Sequence, residues 1–338
     1  MDLNTIWFVL VFVLLIGYAI LDGFDLGVGV LHLFARDDRE RRLHMNAIGP
    51  VWDGNEVWLL TGGGALFAAF PPVYAAVFSG FYIALMLLLA ALIFRAVSME
   101  FRSKLESPAW RRLWDVAFGL GSLVAGLLLA VAFANILRGV PIDAAGNYAG
   151  TFVGLLNPYS LLVGVTGLVL LILHGAAYLT LKTEGDLHDR VRGWIPRSWV
   201  AFVVLFVGCT IASFFSARHL FEGVFGHPLF WVLAILLIVA IVYVPIASRG
   251  GRDFSALLAT SAIIACVMGL GALGIFPNLV RSTLDAAYSL NIHNASSTPL
   301  TLKAMFIIAA IGVPIVLIYT TVIYWLFRGK VRLTEESY

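Results

Sequence analysis

Charge is what this 338-residue chain has least of. Only 12% of its residues are Asp, Glu, Lys or Arg, and 61% are hydrophobic. A soluble globular domain carries about 25% charged residues, so half the usual polar covering is missing. That shortage, with a mean hydropathy of +0.94, excludes a water-soluble particle and predicts an integral membrane protein. Period-2 alternation is also lacking, which excludes a barrel. The apolar runs are long and continuous, as about 20 residues per helical span requires. Cysteine is nearly absent: Cys209 and Cys266 lie in separate apolar runs with no second Cys or His at ligand spacing, so inert buried thiols are expected. The net charge of +2 is small and its basic residues sit in short loops, so no nucleic-acid partner is expected. The first apolar run starts almost at Met1, lacks a basic n-region and is too long for an h-region, so no cleavable signal is expected.

What is present is a series of spans, at 6–32, 50–70, 73–95, 113–137, 155–180, 199–218, 229–247, 254–277 and 303–327. The second is the least apolar, since it holds Asp53, Asn55, Glu56 and Gly62-Gly63-Gly64; read as re-entrant, it would leave eight spans. Lys and Arg accumulate in cytoplasmic loops. With nine spans and an outside N-terminus, Arg36, Arg39, Arg41, Arg42, Arg102, Lys104, Arg111, Arg112, Lys182, Arg190, Arg192, Arg197, Arg249 and Arg252 all fall on one side, with the C-terminal Arg328, Lys330 and Arg332. The other side keeps little more than Arg138, Arg218 and Arg281. Eight spans would put RDDRERR outside, so nine are predicted.

This orientation puts Asp22 and Asp25 in the cytoplasmic half of the first span, Asp53 and Glu56 in that of the second, and Arg95 and Glu100 at the same end of the third. Asp22 and Asp25 share a helix face at i,i+3, as do Asp53 and Glu56. Intramembrane acids face a bundle interior or a water-filled cavity and mark ion or proton paths by default. Burial beside like charge makes a carboxylate hold its proton, which suits a group that loads and releases one. The competing reading is a static ion-pair network docking three helices through Gly23, Gly27 and the glycine run. Several carboxylates against one deep arginine favour the proton path. Trp52 reads as an interfacial anchor, or with the deeper Trp58 as cavity lining.

Deep histidines are scarce too. His44, His188, His219, His227 and His293 fall in loops or at span edges, His32 ends the first span, and only His174 is deep. Membrane-bundle haems need axial ligands such as paired His or His with Met, so this chain is not expected to ligate several haems alone, and His174 reads as a packing residue. TGGGALF is not a phosphate loop, because no Gly-Lys-Ser/Thr follows. No nucleophile elbow, HExxH or CxxC occurs. Asn294-Ala295-Ser296 is a sequon by pattern within 278–302, read as a short polar loop, and 138–154 reads as an ordinary turn region. The tail FRGKVRLTEESY is basic, then acidic.

LDGFDLGVGVLH, NAIGPVWDGNEVWLLTGGGALFAAFP, YAAVFSGFYIALMLLLAALIFRAVSMEFRSK and the late IFP…TLK…PIVLIYT pattern resemble subunit II of the cytochrome bd quinol oxidases. The resemblance covers essentially the whole chain and is most specific over 17–104. It is looser in the middle, and the loop around 219–228 is short for the family. It implies an all-α membrane protein with two four-helix bundles plus one extra helix, a single polytopic domain with its polar cluster in 1–137, a second bundle in 155–327 and a tail at 328–338. It implies quinol oxidation coupled to reduction of dioxygen to water, with cytoplasmic protons. The quinol-oxidising loop and haems b558, b595 and d belong to subunit I; this subunit ligates none and is not catalytic alone. A structural quinone and a small single-helix subunit occur in some members. By resemblance, Asp22, Asp25, Asp53, Glu100 and Arg95 fall on the proton route and Trp58 at an oxygen-channel mouth. Glu56 stands where some members carry Gln. The expected location is the bacterial or archaeal-type cytoplasmic (inner) membrane. Two other readings stay open, a stand-alone proton-coupled transporter and a purely structural assembly subunit. A transporter would be expected to show broken helices at matching positions in both halves, whereas polar clustering is confined to the first three spans.

Overall fold

A computed structural model describes residues 2–333. The helices are α1 (Leu3–His32), α2 (Asp38–Ile48), α3 (Trp52–Ala69), α4 (Pro71–Gly80), α5 (Tyr82–Phe101), α6 (Pro108–Arg138), a single turn α7 (Phe152–Leu155), α8 (Pro158–Lys182), α9 (Gly185–Ser216), α10 (Pro228–Arg249), α11 (Asp253–Ile275) and α12 (Pro299–Leu326). Eight of them, α1, α5 with the turn that continues it to Lys104, α6 and α8 to α12, are long and apolar enough to cross a membrane. The remaining predicted span, 50–70, folds as the continuous 18-residue α3. At 1.5 Å per residue α3 is about 27 Å long, close to the roughly 30 Å hydrocarbon core, though Asp53, Asn55 and Glu56 make it less apolar.

Helix α1 is the central post. Asp2 caps it, accepting from the Thr5 N–H at 2.8 Å, and every residue from Asp22 to His32 is buried. It packs against α3, α6, α8 and α11. The small-xxx-small spacing of Gly23 and Gly27 permits this. A methyl group on Gly27 would collide with the Leu171 carbonyl and Gly175 backbone of α8, and one on Gly23 would press on Leu171. The α3 glycine run differs. Gly62 meets Leu15, whereas Gly63 and Gly64 face open space within this chain.

Three segments depart from the sequence reading. The charged connection after α1 is not simply a loop. Asp37 caps α2 by accepting from the Glu40 N–H at 2.8 Å, and α2 buries Leu43, His44, Met45, Ala47 and Ile48. The span expected at 73–95 is two helices. Pro71 and Pro72 open α4 with their fixed φ, the chain breaks again at Phe81, and α5 runs on past Arg95 to Phe101. Helix α9 starts at Gly185 rather than near 199, because its polar first half still seats Leu187, Val191 and Ile195 in the core.

At the end of the bundle away from α2, the short strands β1 (Asn278–Val280) and β2 (Leu290–Asn291) pair antiparallel. Val140 bridges to Ser282, so the two segments read as plain loops form one ordered cap. Asn294 of the sequon ties that cap by donating to the Ser289 carbonyl at 2.9 Å. Helix α12 is mostly exposed, with only Leu302 fully buried and one edge, including Tyr324, half-buried. Past its end, the Val331 N–H reaches the Lys182 carbonyl at 2.9 Å. The acidic part of the tail, 334–338, lies outside the described residues.

Candidate functional site

Three helices converge on the buried acids of α1. Arg95 of α5 donates to both carboxylate oxygens of Asp22, at 2.6 and 3.3 Å, and stands 3.9 Å from Asp25. All three side chains are at most 1% exposed. Asn55 of α3 donates to Asp25 Oδ2 at 2.8 Å and to the Leu21 carbonyl at 3.1 Å. Tyr324 of α12 in turn donates to Asn55 Oδ1 at 2.8 Å. Asn55 is therefore a clamp between the acid pair and the outermost helix.

Asp22 is fixed by a bidentate arginine, the strong form of this contact. Asp25 is held at one oxygen and open at the other: its Oδ1 has no hydrogen-bond partner, and neither do Arg95 Nε and the Tyr18 hydroxyl one turn before Asp22 on α1. One guanidinium faces two carboxylates, and a buried charge without compensation costs several kcal/mol, so the arginine is central to the stability of the triad.

The structure sorts the predicted residues. Asp22, Asp25 and Arg95 meet directly. Glu56 is half-buried and within electrostatic reach of Arg95 and Asp22. Asp53 and Glu100 are exposed, on the outer sides of α3 and α5. The Trp58 ring lies against Gly17 of α1, and Trp52 packs on the main apolar core. Asn55 and Tyr324 were missed. Asn55 carried a signal, a third polar group within WDGNE, but nothing local marks Tyr324, more than 260 residues away in the chain.

A second polar network occupies the α2 end. His32 Nε2 donates to Asp115 Oδ1 at 2.9 Å, Arg102 Nε donates to the same oxygen at 2.5 Å, and Arg102 also reaches Asp38 at 2.6 Å. His174 behaves as a packing residue, one ring nitrogen against Thr260 Oγ1 at 2.7 Å and the other against the Ile20 carbonyl at 2.9 Å. With both nitrogens committed to protein, His174 is not arranged to ligate a haem. Among the described residues no group of three or more His, Cys, Asp or Glu is arranged to hold a metal ion.

Residues 3–327 match the family model described as cytochrome bd terminal oxidase subunit II. The chain is 39% identical, over an alignment of 366 residues covering 99% of it and 96% of the relative, to cytochrome bd-I ubiquinol oxidase subunit 2 of Escherichia coli K12. It is 38% identical over 336 residues, covering 99% of it and 98% of the relative, to cytochrome bd ubiquinol oxidase subunit 2 of Bacillus subtilis. A solved chain of the bd oxidase from Geobacillus thermodenitrificans superposes with a TM-score of 0.81 at 16% identity, covering 97% of this chain and 99% of that one, and so shares the fold.

Proposed function

The chain belongs to the cytochrome bd terminal oxidase subunit II family, and from that premise we propose that its buried acid pair carries protons toward an oxygen-reducing partner subunit. It is a multi-pass membrane subunit of a bacterial respiratory oxidoreductase, and a subunit II implies a subunit I. In the proposal, haems b558, b595 and d lie in that partner, where haem chemistry reduces dioxygen with electrons from quinol, while this chain contributes assembly and proton delivery. The uptake of protons from one side would generate proton motive force. The α2 end, where the loop arginines concentrate, is assigned to the cytoplasm by the positive-inside rule, with the N-terminus outside.

One observation carries the reading: Asp25 is fully buried, held at Oδ2 by Asn55, and leaves Oδ1 unpaired beside an Arg95 already committed to Asp22. A group meant only to dock helices would spend both oxygens, since an unsatisfied buried acceptor costs about 1–3 kcal/mol. Half-buried Glu56 and exposed Asp53 extend the path along α3, and Glu100 along α5. Trp58 and Trp52 wall the α1–α3 seam, Trp58 at the place the family resemblance gives to oxygen entry. The partner docks on the α3 face where Gly63 and Gly64 are open, beside the exposed α12.

The test is Asp25→Asn in the assembled oxidase, reading quinol-driven oxygen consumption and haem content together. Turnover should fall at least tenfold with haem content unchanged. Full turnover with normal haem would leave only the structural subunit. Proton-coupled solute uptake by the chain without its partner would favour a transporter.

A further inference from the structure

His44 is completely buried on α2, and neither ring nitrogen has a hydrogen-bond partner. His32, completely buried at the end of α1, also leaves Nδ1 unpaired. The rings stand 5.9 Å apart between centroids, inclined by 59°. Three unpaired nitrogens on two neighbouring buried imidazoles are not a packing solution, because a neutral imidazole always carries one N–H donor and one acceptor. No direct bond joins the rings. Buried ring nitrogens left without a protein partner at this separation are the setting for a bridging water.

The surroundings give the pair a direction. Asp115 accepts from His32 Nε2, so the Nδ1 of a neutral His32 carries the lone pair. Asp115 is tied through Arg102 to Asp38, which is 46% exposed on its side chain, and Arg41 lies 3.7 Å from Asp115. Arg111 faces Asp38 from α6. From α9, Arg190 is paired with Glu40 and stacked on Trp194, and from α8 the Tyr178 hydroxyl is spent on the Ala47 carbonyl at 2.9 Å. On α1, residues 22, 25, 29 and 32 form one stripe at i, i+3, i+7 and i+10. His32 is seven residues, about 10 Å, from Asp25. Midway between them Ser122 Oγ lies against Gly29, where a side chain would displace it.

We propose that His32 and His44, bridged by one water molecule, form a proton-exchange station that joins the exposed Asp38 edge to the acid pair along this stripe. The assignment rests on the proton-carrying reading of Asp22 and Asp25. The step balances simply. The water gives a proton to His32 Nδ1 and takes one from the ring N–H of neutral His44, whose other ring nitrogen accepts a proton arriving from the exposed edge, so His44 stays neutral in its other tautomer, His32 becomes an imidazolium facing Asp115, and the water is restored.

The experiment uses the complete oxidase in lipid vesicles, with quinol-driven oxygen consumption measured from pH 5 to 8 in H2O and D2O. His44→Gln and His32→Gln should each lower turnover about tenfold or more and enlarge the solvent isotope effect, at unchanged haem content. The double variant should fall no further, because both residues serve one step. Wild-type turnover in His44→Gln at normal haem content overturns the station, as does a double variant whose loss is the product of the two. If Asp25→Asn slows turnover while His44→Gln does not, the station alone fails; if neither does, the acid-pair reading fails with it. Should the variants not assemble, histidine-15N spectra of the unaltered complex decide. A His44 ring N–H exchanging with solvent within seconds supports the station, and one protected for hours overturns it.

Discussion

Arg95→Leu is the sharpest structural perturbation available. In the native protein the guanidinium makes two bonds to Asp22, at 2.6 and 3.3 Å, with both side chains at most 1% exposed. Leucine fills much of the volume but leaves Asp22 charged, buried and unpaired, and deprives Asp25 of a cation 3.9 Å away. Breaking a buried pair by removing one partner costs about 3–5 kcal/mol. With two carboxylates stranded, the upper end of that range is expected. Removing both members, as Arg95→Leu with Asp22→Leu, eliminates the stranded charge at Asp22 and should recover a large part of the loss. A double-mutant cycle therefore separates the pair from its surroundings. The assay is thermal inactivation of the assembled oxidase, read as loss of haem-retaining complex, for wild type, both single variants and the double. A loss below about 1 kcal/mol for Arg95→Leu, the size of an exposed pair, would refute the burial argument. A double variant as weak as the sum of the singles would refute the pairing.

Asn55→Leu should remove the clamp on Asp25 Oδ2, leaving an unsatisfied buried acceptor worth about 1–3 kcal/mol, and should slow oxygen consumption nearly as much as Asp25→Asn; unchanged turnover would show that Asn55 does not position the acid. Tyr324→Phe should cost only about 0.5–1.5 kcal/mol, read in the same inactivation assay, and loosen α12, detectable as faster proteolysis near residue 326. Gly27→Val should prevent assembly, because its side chain meets the backbone of α8, whereas Gly63→Ala should leave the helix content and thermal unfolding of the isolated chain unaltered and weaken binding to the partner subunit in pull-down. The last concerns pH. Burial, reinforced by His32 and Arg190, holds His44 well below the ordinary histidine value. The unfolded chain therefore takes up a proton near pH 6.5 that the folded chain refuses. Stability from this group is complete above that pH and falls as pH drops below it, by at most about 1.4 kcal/mol per unit. The inactivation temperature of His44→Met should be less sensitive between pH 6.5 and 5 than wild type; an equal slope would remove His44 as the cause.

Composition alone settled that the chain lives in a membrane and is helical, because a chain this poor in charge cannot cover a soluble surface and an unbroken apolar run can satisfy its backbone in lipid only as a helix. The local spacing of Asp22, Asp25 and Arg95, together with loop charge, was enough to expect these three at one depth, and they do meet. Their neighbours at similar spacing, Asp53 and Glu100, look the same in sequence yet point outward, because depth along a helix does not fix the azimuth a side chain takes once helices pack. That rotation was decided by contacts far apart in the chain, such as Gly27 on Gly175. The same is true of Tyr324 on Asn55 and of His32 beside His44. In the sequence those two histidines looked like residues at the edge of a span and in a loop. Only the folding of α2 back against α1 buries both and brings their rings to 5.9 Å between centroids. The sequence by itself determined where charge could exist in this protein. The tertiary structure decided which charges are paired, because pairing depends on azimuth and distance between helices, and these are set by side-chain packing across the whole bundle.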